Sequence, residues 1–209
     1  MSARKFIVML VLLALISACA PANGTDVFEV GIEPAPSTDV NQALKSELQP
    51  ILRAMLGGSI NDQIAVIQYA RIACANAEGL GGPPPCPEGV AEGTELEVFP
   101  TLGSEGSYIT PENMETFLNN SIVKNLYAVY RVTTNPNLEP YIPEGKYAML
   151  FERDMNDIPL PVVLHVVGGK IVRMDFRFGI SAADLLKEIP VENVLVTPQE
   201  AQAWTESIR

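Results

Sequence analysis

The thiols of Cys19, Cys74 and Cys86 and the single imidazole, His165, are the side chains best suited to chemistry near neutral pH. A thiolate can act as nucleophile, metal ligand or disulfide partner, and an imidazole takes up and releases a proton close to neutrality. Together they are too few for a zinc cluster, and a haem-attaching C-x-x-C-H is absent. Asp154, Asn156 and Asp157 offer oxygens of the kind calcium takes, but Ile158 and Pro159 break the EF-hand order. No G-x-S-x-G elbow, P-loop or G-x-G-x-x-G occurs, and Gly103-Ser104-Glu105-Gly106 lacks the spacing. A Ser-His-Asp triad would have to use His165, and no local context supports one. No metal and no cofactor is expected.

Cys19 has the most telling surroundings. Met1 to Ala18 carries two bases, Arg4 and Lys5, and no acid, followed by an apolar run from Phe6 to Ile16. That run is too short to cross a hydrocarbon layer of ~30 Å, which takes about 20 helical residues. A basic start, a short apolar stretch and small residues before a cut form the pattern of a secretory signal. Ile16-Ser17-Ala18-Cys19 resembles the lipobox of bacterial lipoproteins: aliphatic, small, small, cysteine. The resemblance implies diacylglyceryl transfer to the Cys19 thiol, cleavage before it and a lipidated N-terminus on the outer side of the cell membrane. Residues 1–18 are then a signal peptide. The competing reading is an ordinary cleaved signal. Each buried CH2 contributes ~0.8 kcal/mol, so two or more acyl chains hold a protein durably.

The chain has 14 Lys+Arg against 25 Asp+Glu, a formal charge of −11, which disfavours nucleic acid as a partner. Losing residues 1–18 removes two bases and no acid, so the mature surface is more acidic still and is repelled by anionic headgroups. Membrane attachment is therefore expected from the lipid at Cys19. Export leaves Cys74 and Cys86 as an even pair in an oxidising compartment, where a disulfide is the expectation and two unpaired buried thiols the alternative. The segment between them contains Gly79, Gly81, Gly82 and Pro83-Pro84-Pro85, a composition that cannot hold itself by a helix or a sheet ladder. A bridge across such a loop contributes on the order of 3 kcal/mol. The spacing is not C-x-x-C, so no redox-active role is read.

The elements that position these groups follow from periodicity. Residues 19–38 are Pro- and Ala-rich and read as a lipidated tether, with Val27 to Ile32 alternating weakly as an edge strand. Asp39 is placed as an N-cap, and Val40, Leu44, Leu48, Ile51 and Met55 recur at helical spacing, with a kink or break predicted at Pro50. Gly57-Gly58 ends that segment, Ser59 caps the next, and Ile60 to Ala75 reads as a helix buried on most sides. Glu95 to Phe99 reads as a strand, and Thr110-Pro111 opens a short helix ending near Asn119. Lys124–Thr133, Lys146–Arg153, Pro161–Val167 and Lys170–Phe178 are β-rich, the last two joined by Gly168-Gly169 as a hairpin. Ser181 and Thr197 start two C-terminal helices. Helices followed by a meander of strands argue for α+β: N-terminal helices on a curved antiparallel sheet of four to five strands. The body is expected over 39–180, with 181–209 an appended helical extension.

This order resembles the nuclear transport factor 2-like, or cystatin-like, superfamily, and the run Pro161 to Phe178, with its Gly-Lys-Ile hairpin, carries most of the resemblance. It implies helices in the hollow of a curved sheet over roughly Asp39 to Phe178, and it transfers no function, because that superfamily holds enzymes, binding domains and scaffolds.

With Gly168-Gly169 as the turn, simple alternation places His165 opposite Val172 and puts Val163, His165, Val167, Val172, Met174 and Phe176 on one face towards the helices. The other face takes Leu164, Arg173, Asp175 and Arg177, a charged row of the kind that is usually solvated. His165 then points into the hollow with no identifiable carboxylate partner, and Tyr127, Tyr130, Tyr147, Phe151 and Met174 are candidates to line a pocket around it. The expected function is non-catalytic: a surface-tethered domain binding a small apolar ligand or an envelope protein. The alternative is an isomerase-, dehydratase- or hydrolase-like enzyme using His165, which requires an open cavity beside it and a carboxylate within reach.

Overall fold

The structure, a computed structural model, describes residues 38–76, 82–103, 107–155 and 158–208. Cys19, the signal peptide, the tether and the edge strand expected at Val27 to Ile32 lie outside the described residues. Pro36–Arg209 form one compact unit.

The chain is α+β. Helix α1 (Thr38–Gly57) begins before Asp39 and runs through Pro50 as a single element. A proline in a helix interior costs about 3 kcal/mol. Here Leu44, Leu48, Ile51, Leu52 and Met55 form a stripe no more than 6% exposed. Each such burial contributes roughly 1.5–3 kcal/mol, enough to hold the helix across an exposed Pro50.

Helix α2 is Ile60–Ala65, started by a Ser59/Asp62 capping box, and it ends ten residues earlier than its apolar character suggests. Beyond it the chain turns extended. Ile67 bridges Ile171 in parallel, Gln68 N donates to Ile171 O at 2.8 Å, and strand β1 (Ala70–Ala73) pairs with β2 (Glu95–Leu102). Partners distant in sequence override local helical character here.

A short β3 (Ser107–Ile109) doubles back on β2, and a 3-10 turn at Pro111–Asn113 leads into α3 (Met114–Asn119). Strands β4 (Asn125–Arg131) and β5 (Tyr147–Glu152), a small ribbon β6 (Asp154–Met155) with β7 (Ile158–Pro159), and the hairpin β8 (Val162–Val167) with β9 (Lys170–Phe176) follow. The chain closes with α4 (Ala182–Lys187), β10 (Val194–Val196) and α5 (Pro198–Glu206), the first helix capped by Ser181 and the last by a Thr197/Glu200 box.

The main sheet has eight strands in the order β1-β2-β9-β8-β5-β4-β10, with β3 also on β2. It is mixed where an antiparallel sheet of four to five strands is expected, because β2 pairs with β9 in parallel, Thr101 opposite Met174. One face meets α1, α3 and α5 in the principal core. The C-terminal residues are part of that core: Ala201 is 0% and Trp204 6% exposed, and β10 extends the sheet beside β4. The opposite face carries a smaller core of Ala128, Tyr130, Ala148, Leu150 and Val163 under α4. Cys74 and Cys86 form a disulfide, Cα atoms 4.9 Å apart, tying the end of β1 to the Pro-rich loop.

Candidate functional site

The β8–β9 hairpin turns at Gly168 and Gly169 with φ of +57° and +72°, a left-handed pair that favours glycine and matches the twist of a tight hairpin. Val167 faces Lys170 and Val166 faces Ile171, as alternation from that turn requires. The register then shifts by one: His165 faces Arg173, Leu164 faces Met174 and Val163 faces Asp175. One extra residue at Val172 makes a bulge, and beyond it the side chains of β9 change faces relative to those of β8.

The expected faces are corrected accordingly. Val162, Leu164, Val166, Ile171 and Met174 belong to the principal core under α1. His165, Arg173 and Asp175 share the other face with Val163. Of the expected solvated row only Arg177 is exposed; Arg173 and Asp175 are buried, at 5% and 8% exposed, and His165 has a carboxylate partner after all.

The three side chains form a closed cluster. Arg173 Nε donates to Asp175 Oδ1 at 2.8 Å, and Nη2 lies 3.1 Å from Oδ2. His165 Nε2 lies 2.9 Å from the same Oδ2 and 2.7 Å from Arg173 Nη2, which is also 3.3 Å from Nδ1. A carboxylate oxygen only accepts and a guanidinium only donates, so Nε2 cannot serve both neighbours. With the proton on Nε2, it donates to Asp175 Oδ2 and Nδ1 accepts from Arg173 Nη2. Burial by itself would push the Asp175 carboxyl up. The hydrogen bond from His165 and the Arg173 guanidinium outweigh it and hold that carboxyl below the usual carboxylate range. Tyr130, in the smaller core, is pushed up to about 12 by burial and then by the negative charge of Asp175.

A strap over residues 139–146 covers the cluster. Pro143 O accepts from Arg173 Nη1 at 3.0 Å, and Lys146 N donates to Val166 O at 2.8 Å. Gly145 makes the close approach possible: a Cβ there would lie 2.7 Å from Val166 N and 2.9 Å from His165 Cβ. A general base needs its free nitrogen aimed at substrate within roughly 2.6–3.2 Å, and Nδ1 instead faces a buried guanidinium. The arrangement suits a buried, water-excluded cross-tie between β8, β9 and the strap.

The remaining candidates are divided by the sheet. Tyr130 shares the face of His165. Tyr127 sits at a second bulge, between Leu126 and Ala128 of β4, and packs on the smaller core. Phe151 and Met174, both 0% exposed, and half-buried Tyr147 are on the opposite face with α1. The expected pocket is therefore not assembled, and the space between α1 and the sheet is filled by side chains. Two clefts, of about 770 Å³ beside α1 and about 380 Å³ beside α5, open elsewhere, and neither has His165 on its wall. No group of three His, Cys, Asp or Glu among the described residues is placed to hold a metal ion.

Arg173, Asp175, Pro143 and Gly145 were not among the expected site residues. One signal pointed to the charged pair: β8 reads Val-Val-Leu-His-Val-Val, an unbroken apolar run of the kind strands show when both faces are covered. Charges on its neighbour then had to be buried and paired. Compared with known proteins, the chain matches no family model and no curated protein.

Proposed function

We propose that this chain is a lipid-anchored, extracytoplasmic binding domain with no catalytic role of its own, holding a small apolar ligand or an envelope protein at its surface. The observation that carries the non-catalytic reading is the closure of the His165 cluster: a side chain 8% exposed, with Asp175 and Arg173 on its two nitrogens. The enzymatic alternative asks for a carboxylate beside His165 and an open cavity. Asp175 supplies the first, but the strap and the smaller core occupy the place of the second.

The Cys74–Cys86 bridge supports an oxidising compartment. The lipobox resemblance at Ile16 to Cys19 supports lipid attachment, and α1 packed on a sheet supports the likeness to the nuclear transport factor 2-like superfamily. No helix among the described residues is long and apolar enough to cross a membrane, so the anchor rests on Cys19.

The anchor is tested by mass spectrometry of the protein from a membrane fraction. An N-terminal Cys19 bearing diacylglyceryl is expected; a chain starting at Met1 with no acyl adduct overturns the reading. His165→Gln should lower stability without removing any binding activity of the domain.

A further inference from the structure

Helix α1 spends its large apolar side chains on the sheet. Its other side carries Pro50, Arg53 and Gly57 at i, i+3 and i+7, and they floor the larger cleft, about 770 Å³, that α2 and the residues after α5 wall in. That volume falls within the roughly 300–1,000 Å³ typical of small-molecule sites. Leu56, Val66 and Ile208 line it, and all three are half-buried and packed against the principal core, so the apolar wall is the edge of the core left open to water. Two charged residues stand on the rim. Asp62 is committed to its cap, accepting from Ser59 N at 2.9 Å and Ser59 Oγ at 2.7 Å. Arg53 is exposed and makes no ion pair with Asp62 across the opening or with any other acid among the described residues.

An apolar wall with one uncommitted guanidinium at its rim specifies an apolar body with an anionic end. We propose that this cleft binds an anionic amphiphile, its alkyl chain along Leu56, Val66 and Ile208 and its carboxylate on Arg53. The assignment rests on the binding reading above and names its site and ligand class; it is independent of the lipid at Cys19.

The test is calorimetric titration of the compact unit Pro36–Arg209, without detergent, using decanoate, decanol and decyltrimethylammonium. Decanoate should saturate at one per chain, with decanol about tenfold weaker, as loss of one charge-assisted contact implies, and no uptake of the cation. A Cβ at Gly57 meets nothing within 4 Å, so Gly57→Leu should fill the cleft and abolish decanoate binding while the denaturation midpoint holds. Arg53→Gln, at an exposed position, should bring decanoate to the level of decanol and leave decanol unchanged. The proposal is overturned by no saturable uptake of any probe, by decanoate binding that survives Gly57→Leu, or by preference for the cation. Such failures leave the anchor and an envelope-protein partner standing, whereas an unacylated Cys19 removes the anchor and leaves the cleft.

Discussion

Arg173 and Asp175, two residues apart on β9, lie side by side within the smaller core, the guanidinium Nε and Nη2 spanning both carboxylate oxygens at 2.8 and 3.1 Å. Each is the other's means of remaining charged away from water.

Removing one member should therefore cost more than removing both. Asp175→Ala leaves Arg173 buried without a counter-charge, a loss of about 3–5 kcal/mol. Arg173→Met combined with Asp175→Leu should recover at least half of it, since apolar replacements of similar volume are tolerated where half a pair is not. Urea denaturation of the two variants checks this, with recovery absent if the pair adds net stability.

The same pair sets the acid limb. The folded Asp175 carboxyl titrates below its unfolded value, so its contribution is present above an unfolded pKa of about 3.9 and is lost as pH falls through the folded value. Stability of the wild type should drop more steeply below about pH 4 than that of Asp175→Asn, measured by urea midpoints on acidification.

The alkaline limb belongs to the tyrosines. Tyr130 is raised to about 12 in the folded state, so its contribution is complete below an unfolded pKa of about 10 and is lost as pH climbs towards 12. Tyr108, also raised to about 12 by burial and its neighbour Tyr141, acts in the same sense. Tyr130→Phe should flatten the loss between those pH values, and a phenolate absorbance titration should show one fewer late-titrating group.

Two glycines should respond oppositely to alanine. Gly145→Ala forces a Cβ to 2.7 Å from Tyr147 O and Val166 N, a close approach to backbone that cannot move aside, with an expected loss of about 1–3 kcal/mol. Gly57→Ala enters open space at the end of α1 and should be neutral or stabilising by up to about 1 kcal/mol. Thermal melts of the two variants give the comparison.

Reduction of the Cys74–Cys86 bridge should cost on the order of 3 kcal/mol. It should also loosen the hydrogen bond from Tyr108 Oη to Gly82 O, 2.9 Å, which joins the bridged loop to β3. Hydrogen exchange around β3 with and without reductant reads the second effect.

Where a feature depends on neighbours in sequence, it was legible. The β8–β9 turn, the caps at Ser59, Ser181 and Thr197, the end of α3 near Asn119 and the Cys74–Cys86 pairing all follow from local chemistry. What escaped depends on partners far away. The strand after Ala65 exists because Ile171 and β2 are there to pair with it, and the parallel junction of β2 and β9 leaves no trace in either segment. The site was lost to a single residue: the bulge at Val172 has no glycine to announce it, and with it His165 lies on the face away from α1, beside Arg173 and Asp175, while Met174 keeps the helix-facing side that alternation gives it. Beyond the bulge the apolar and charged rows of β9 keep their expected sides, and it is the two faces of β8 that are exchanged.

The junction of β2 with β9 also orders events during synthesis. α1 is made before the other described elements, yet the principal core that takes in Leu48, Ile51 and Leu52 is completed by residues of β8, β9 and α5, from the last third of the chain. A half-made polypeptide thus carries an oily rod with nothing to lie upon, and closure waits for the trailing end. A truncation that removes only the final helix would take Ala201 and Trp204 out of that core and leave it partly bare.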